Sequence, residues 1–434
     1  MARQVREHPT TNGSRSDMSL ARVPDDFCYP EGMISVDQAR GFILDRARPI
    51  AEIETIDVSA SLGRILADAH VSPIDVPGYA NSAMDGYAVK SADFKDKGEA
   101  RLKVTQRITA GITGGAIASG EAARIFTGAP VPEGADAVVM QERCRAEGDF
   151  VTVPAPVPAG DNVRPRGNDI VAGREVLPRG LRMRPQEMGL AASVGLARLS
   201  VVRKLKVAIF STGDELVKPG EPLPPGKIYN SNRYTLRGLL TALGCDSLDL
   251  GMVEDTLEAT QAALKEAAGR ADVIVTSGGV SVGEEDHMRA AVEAIGHIEL
   301  WRVAVKPGKP LAYGRIGEAD FLGLPGNPVS TLVTFCLFVR PFLLKRQGAA
   351  EVLPRPYPVR AAFEWRKATK RREFARARLR SEDGQAPAAE IFPKQGSDVL
   401  TSTVWAGGVV EIPEGTRVKP GDTILYYSFS DLLY

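Results

Sequence analysis

The chain has 434 residues, of which 44% are apolar and 25% charged, and its 54 Lys and Arg balance 54 Asp and Glu. A chain of this length exceeds one hydrophobic core and implies roughly two to four domains, while neutrality removes any global electrostatic case for nucleic acid or an anionic membrane. Cys28, Cys144, Cys245 and Cys336 are far apart and form no C-x-x-C pair, which argues against structural zinc and a disulfide framework and fits the reducing cytoplasm.

Residues 1–30 are polar, lack the apolar run of a secretory leader and read as a disordered tail. A helix is expected from about Val36 to Arg46, because Ser35 and Gln38 form a capping box and Val36, Ala39 and Ile43 recur at helical spacing. From Ile56 to Val202 short apolar runs are broken by Gly and Pro, the pattern of β-hairpins rather than βα units. RPQEMGLAASVG within it reads as a short helix with Pro185 near its first turn. From Leu205 to Gln347 strand, loop and helix alternate: KVAIFST, SLDLGMV and ADVIVTS are strands, and Leu236, Leu239, Leu240 and Leu243 mark the first helix. Such alternation predicts a parallel sheet covered on both faces, with ligands outside the carboxyl ends of its strands. The apolar run Val329 to Leu344, interrupted by Arg340 and Pro341, falls short of the roughly 20 residues of a membrane span and reads as a buried helix.

After Pro354 the strands return without helices, which predicts a small separate β domain. Its first half is basic: Arg360, Arg366, Lys367, Lys370, Arg371, Arg372, Arg376 and Arg378 meet only Glu364 and Glu373. This is expected to be a solvated strand face, with contact to an anionic small molecule as the alternative; the sparse aromatics disfavour a nucleic-acid patch.

Three loops of the α/β region fall at strand ends: STGDEL (Ser211 to Leu216), VEDT (Val253 to Thr256) and TSGGVSVGEED (Thr276 to Asp286). They would gather Asp214, Glu215, Asp255, Glu284, Glu285 and Asp286 at one rim, where mutual repulsion calls for a cation, and hard oxygen ligands beside phosphate point to Mg²⁺. The opposing reading is that acids before a helix are caps or dipole partners, which suits Glu284 and Glu285 and leaves Asp286 open. Gly278 and Gly279 would offer backbone amides to an anion. Lys306 and Lys309 flank a Pro-Gly turn, and LPGNP (Leu324 to Pro328) opens a helix whose N-terminus favours an anion. In NSAMDGYAV (Asn81 to Val89), Asp85-Gly86 reads locally as a hairpin-turn dipeptide.

In order along the chain, NSAMDGYAV, FTGAPVPEGADAVVMQE, RPRGNDI, FSTGDEL, IYNSN, TSGGVSVGEED, VAVKPGKP and GLPGNPVS together closely resemble the MoeA family, the molybdopterin molybdenumtransferases, which includes the E domain of gephyrin. The resemblance runs from about Met33 onward. It implies a multidomain α/β plus β protein: a central MogA-like parallel α/β domain (204–350), a β-rich inserted domain (76–162), a discontinuous N-terminal mixed domain (31–75 and 163–203) and a C-terminal small β-barrel (351–434). It also implies a cytoplasmic homodimeric molybdenum insertase that binds adenylylated molybdopterin, takes up molybdate, transfers the metal to the dithiolene and releases AMP with Mg²⁺. Family members place the active cleft between the α/β domain of one subunit and a β-rich domain of the other. Transient contact with a MogA-like adenylyltransferase and with molybdoenzymes is expected, and no nucleic acid or membrane partner.

Carried over residue by residue, the resemblance assigns Asp85, Thr127, Glu215 and Asp286 to catalysis, and Glu215, Asp255 and Asp286 to metal. Asp169, Ser277, Gly278, Gly279, Arg302, Lys306, Lys309, Pro325 and Asn327 go to substrate binding, as do Arg376 and Ser397, whose flanking sequence is divergent. It replaces the local turn reading of Asp85. Ala80 and Asn168 depart from the family, where Asp and Glu are frequent. The rival readings are a molybdopterin-holding scaffold without turnover, and an adenylyltransferase of the MogA type, which would need neither the β insertion nor the C-terminal β domain.

Overall fold

The computed structural model describes residues 29–433 except 31, 96–97, 280–286 and 382–385. The expected tail therefore lies almost wholly outside the described residues, and so do Glu284, Glu285 and Asp286. The chain forms two compact units: one from residues up to Ile53, 63–65 and 202 onward, the other from Glu54–Leu62 and Leu66–Val201.

Helix α1 (Val36–Arg46) has the expected capping box, Ser35 Oγ accepting from the Gln38 amide at 3.0 Å and Gln38 Oε1 from the Ser35 amide at 2.9 Å. It buries Val36, Ala39 and Ile43.

The second unit is built on six strands in the order Ala137–Met140, Gly86–Val89, Glu121–Ile125, Glu99–Ile108, Phe150–Pro154, Arg145–Glu147. Val89, Leu102 and Val151 lie in one core layer and Ala88, Ile108 and Ile125 in another, the strand Glu99–Ile108 changing face at its irregularity between Val104 and Gln106. One pairing departs from the hairpin expectation. Glu99–Ile108 and Glu121–Ile125 run parallel, because residues 109–120 are long enough to carry the chain back without a helix. Helix α2 (Pro185–Ser193) seats Ala191 against Leu66, Leu177, Met183 and Val201.

In the first unit, six strands form one sheet: β1 (Lys206–Thr212), β2 (Asp246–Val253), β3 (Val273–Ser277), β4 (His297–Arg302), β6 (Pro310–Ile316) and β7 (Ala319–Leu324), with the two-residue β5 (Val305–Lys306) outside it. The order is β2-β1-β3-β7-β6-β4. β1, β2, β3 and β7 are parallel, but β6 is antiparallel to both neighbours, so the sheet is mixed. Only Gly317 and Glu318 separate β6 from β7, and Gly317 sits at φ 57°, so a hairpin is the only connection that short.

Helices α3 (Asn232–Ala242), α4 (Leu257–Arg270) and α5 (His287–Ile295) follow the strands. Leu264 and Ala267 of α4 and Met288 and Val292 of α5 pack on Ala208, Phe210, Ile274 and Phe321. The last helix is continuous from Pro328 to Arg346: α6 (Pro328–Thr334), a π turn over Phe335–Val339, and α7 (Arg340–Arg346). The wider turn sits just before Pro341, which has no N–H to donate. With 19 residues it is long and apolar enough to cross a membrane, contrary to the shorter estimate from sequence, yet 89% of its most apolar 18-residue stretch is buried inside the protein.

The C-terminal strands β8 (Tyr357–Ala361), β9 (Arg372–Arg380), β10 (Ala388–Ile391), β11 (Gly408–Ile412) and β12 (Thr423–Ser428) close as β9-β10-β8-β12-β11-β9, a five-stranded barrel around Ala375, Ala377, Val410 and Ile424. Two five-residue helices, Thr401–Trp405 and Phe429–Leu433, correct the helix-free expectation; segments that short carry no periodic signal. The expected solvated basic face holds for Arg360, Arg366, Lys367 and Lys370, which are exposed, and fails at two positions of β9. Arg378 and Arg380 are exposed, but Arg372 is 8% and Arg376 1% exposed. Arg372 is buried because it is neutralised, by Glu414 at 3.0 Å, Asp37 at 2.8 Å and Glu411 at 3.3 Å.

Candidate functional site

β1, β2, β3, β4 and β7 all end at the sheet edge where β6 begins, since Arg302 pairs with Pro310 and β6 alone runs the other way. Thr212, Val253, Ser277, Arg302, Lys309 and Leu324 therefore share one rim.

At the centre of that rim is the Gly-Gly step, whose glycines have a steric cause. Gly278 (φ 93°) and Gly279 (φ 65°) are in the left-handed region. A Cβ on Gly278 would lie 2.7 Å from the Thr212 carbonyl oxygen, and one on Gly279 2.9 Å from Thr212 Oγ1. The Gly278 N–H donates to the Leu324 carbonyl at 3.1 Å. This corrects the expectation that its amide is free for an anion. Ser277 is 2% exposed, its Oγ 3.1 Å from Ser211 Oγ. On the neighbouring strand end, the Pro325 carbonyl accepts from Thr331 Oγ1 at 2.6 Å, and exposed Asn327 caps α6 by position, without a side-chain hydrogen bond. Asn232 Nδ2 donates to the Gly326 carbonyl at 2.6 Å, which ties IYNSN to LPGNP.

Sequence reasoning missed the polar residues beneath this rim. Thr212 is 3%, Asn230 2% and Asn232 9% exposed, and Thr212 Oγ1, Asn230 Nδ2 and Asn232 Oδ1 are buried without hydrogen-bond partners among the described residues. An unmade buried hydrogen bond costs about 1–3 kcal/mol, so such atoms are found where a ligand or solvent completes them. The signal available was the Asn-x-Asn run itself.

The cations differ in their availability. Lys306 is ion-paired to Glu373 at 2.8 Å, and Glu373 also accepts from Thr369 Oγ1 at 2.8 Å. Lys309 is exposed and Arg302 half-buried, and neither has a charged partner among the described residues. Arg376 lies inside the barrel, with Nε donating to Ser402 Oγ at 3.0 Å and a terminal nitrogen to the Gly396 carbonyl at 2.9 Å. Burial brings its guanidinium down to about 10, which the charge of Asp398 opposes. The next carbonyl, that of Ser397, accepts the Val329 amide at the start of α6 at 3.0 Å. Arg376 and Ser397 thus build the wall beside LPGNP, and an open oxyanion path along β9 does not exist at Arg376.

Glu215 is exposed and Asp255 half-buried, at the ends of adjacent strands β1 and β2. Among the described residues no three His, Cys, Asp or Glu gather as a metal site. Asp286 lies outside those residues. The described acids alone do not make a magnesium site.

In the second unit, backbone bonds join three motifs. Gly128 donates to Ser82, Ser82 to Ala129 and Ala83 to Asn162, and Asn81–Ser82 pairs with Val163–Arg164. There Asp85 Oδ1 accepts both the Thr127 amide and Thr127 Oγ1 at 2.8 Å. The amide bond, the hydroxyl bond and the Arg124 charge hold the Asp85 carboxyl below the usual carboxylate range against desolvation. Gly86 is not a turn residue. It begins a strand, and a Cβ there would lie 2.0 Å from the Val139 carbonyl oxygen. Arg124, which sequence reasoning missed, donates to the Gly86 and Ile125 carbonyls at 2.7 and 2.9 Å and to Gln141 Oε1. Asp169 is exposed; its loop is held by Asp75, which accepts from Arg166 Nε at 2.5 Å and the Ala172 amide at 2.7 Å.

The chain matches the MoeA N-terminal region (domain I and II) over residues 34–195, a probable molybdopterin binding domain over 208–345 and the MoeA C-terminal region (domain IV) over 358–429. It is 38% identical over 417 residues to a molybdopterin molybdenumtransferase of Haemophilus influenzae, covering 92% of this chain and 100% of the relative. Against that of Bacillus subtilis it is 34% identical over 383 residues, covering 84% and 87%. A crystal structure of a molybdopterin biosynthesis MoeA protein from Pyrococcus horikoshii OT3 superposes with a TM-score of 0.79 at 27% identity, covering 91% of this chain and 100% of that one. Three matched regions in order and full-length relatives of this identity lead to one conclusion: the chain belongs to the MoeA family, the molybdopterin molybdenumtransferases.

Proposed function

We propose that this protein is a molybdenum insertase: it binds adenylylated molybdopterin, takes molybdenum from molybdate onto the dithiolene sulfurs and releases AMP. The observation that carries the reading is the rim at the carboxyl edge of the sheet. That rim carries a two-glycine step, the cations Arg302 and Lys309 without charged partners, and buried polar atoms of Thr212 and Asn232 without hydrogen-bond partners, among the described residues, in the segment that matches a probable molybdopterin binding domain. Unpaired cations suit phosphate and molybdate oxygens, for which charge-assisted bonds are the strong ones. Ser277, Pro325 and Asn327 shape that rim, while Lys306, Arg376 and Ser397 support it. Asp85, held ionised by Thr127, supplies a fixed carboxylate, and Asp169 stands in a neighbouring exposed loop.

A divalent cation such as Mg²⁺ would draw on Glu215 and Asp255 and would need Asp286 as a third ligand; bound there it would offset phosphoanhydride charge. A cytoplasmic homodimer that hands its product to molybdoenzymes, after transient contact with an adenylyltransferase, completes the proposal. The test is AMP release from adenylyl-molybdopterin with and without molybdate. Molybdate-dependent release by the wild type, lost in Asp286→Ala and reduced at least tenfold in Lys309→Ala, is expected. Release without molybdate dependence, or wild-type rates in both variants, would overturn the reading.

A further inference from the structure

The second unit carries a cleft of about 430 Å³ whose lining includes Tyr87, Gln106, Arg107, Arg124 and Phe150. Tyr87, Arg124 and Arg107 stand in one row across three strands. Both guanidinium groups rest on the same ring: the Arg107 carbon is 4.7 Å and the Arg124 carbon 4.4 Å from the centroid of Phe126. Stacking uses the faces of guanidinium planes and leaves their N–H edges for hydrogen bonds.

Arg124 spends three of its five N–H donors on Gly86, Ile125 and Gln141 and keeps its Nε–H and one terminal N–H, whereas Arg107 has no hydrogen bond or ion pair among the described residues. Of the neighbouring acids, Asp85 shares the charge of Arg124, and none pairs with Arg107 among the described residues. Glu147 bonds Arg145 at 3.0 Å, and Glu142 accepts from Gln141 Nε2 at 3.1 Å. Two like charges on one ring repel, and an anion received by both relieves that repulsion. Gln106 cannot supply it, since its amide is already paired in both directions with Gly115 at 2.7 and 2.9 Å.

From this arrangement we infer that the cleft binds a tetrahedral oxyanion, phosphate or molybdate, through Arg107 and Arg124. The site is separate from the rim assigned above and does not depend on that assignment. Arg124 connects it to Asp85, because the carbonyl it grips belongs to Gly86, the next residue.

Equilibrium dialysis of the full chain at low ionic strength, with inorganic phosphate and with molybdate in separate arms, tests the inference. The wild type binds one equivalent of anion that Arg107→Gln binds roughly tenfold or more weakly, with Arg107→Lys between them, while Lys309→Ala keeps that equivalent. Circular dichroism confirms that each variant is folded; exposed Arg107 gives little reason for either to unfold. Binding in one arm alone identifies the source of the anion. No binding in either arm, or an Arg107→Gln isotherm that superposes on the wild type, sinks the proposal. Loss of molybdate-dependent AMP release in Lys309→Ala with this equivalent intact would separate the two sites.

Discussion

Substituting Gly278 by alanine puts a methyl group where the fold has no room for one. The new Cβ would sit 2.7 Å from the Thr212 carbonyl oxygen, a backbone atom at the end of β1 that cannot swing away like a side chain. Left-handed backbone costs an alanine about 1–2 kcal/mol, and overpacking a fixed neighbour about 1–3 kcal/mol more. The sum is roughly 2–5 kcal/mol, localised at the β1 and β3 ends. With two compact units, a single unfolding midpoint would blur this loss, so hydrogen exchange is the better assay. Gly278→Ala should speed exchange at the ends of β1, β3 and β7 by at least about thirtyfold. Gly326→Ala is the control, because its Cβ would meet only Gly278 Cα at an ordinary 3.7 Å and its φ is not positive. Equal exchange in wild type and Gly278→Ala, or equal effects of the two substitutions, would refute the reasoning.

Two further outcomes are expected. Thr127→Val removes the hydroxyl bond to Asp85 and keeps the amide bond, so the Asp85 carboxyl should titrate closer to the usual range in a ¹³C NMR titration. Because the folded group lies below its ordinary value, its stabilisation is present at neutral pH and is lost as pH falls through the folded value; in the variant that loss comes at higher pH. Asp272 is desolvated by burial, but the Arg203 fork at 2.7 and 2.8 Å and the Lys206 amide at 2.8 Å outweigh that cost and hold its carboxyl low. Asp272→Asn should cost on the order of 1–2 kcal/mol at pH 7 after solvent screening. The difference in melting temperature should shrink as pH falls below the usual carboxylate range, and a deficit unchanged at low pH would contradict the assignment.

The elements were legible wherever local chemistry decides them. Ser35 and Gln38 mark the start of α1, and the Leu236 to Leu243 spacing marks α3. Direction was not legible for Glu99–Ile108 and Glu121–Ile125, because alternation reads the same forwards and backwards. Burial misled at Arg372 and Arg376, whose partners Asp37, Glu414 and Gly396 are brought in only by tertiary folding. Within the site, the two glycines were legible as unusual backbone but not in their cause, since the Thr212 carbonyl that forbids a side chain comes from a neighbouring strand 66 residues upstream. Asn230 and Asn232 stood in the IYNSN motif without a role, because an exposed turn and a buried polar position use the same residue type.

The ion pair between Asp37 and Arg372 spans 335 residues of sequence. Ribosomes add about 5–20 residues per second, so α1 emerges roughly 20–70 s before the arginine that neutralises its first turn has been made. Through that interval Asp37 has Arg40, on its own helix, as a charged partner and still lacks Arg372. A chain cut short before Arg372 would therefore lose more than its last domain: Asp37, Glu411 and Glu414 would never meet around one cation, and the first helix would keep the Arg46–Glu299 pair near its end but lose the charged anchor at its start. Stalled or truncated products should betray themselves at the beginning of the chain, as protease cleavage near α1, rather than only at the broken end.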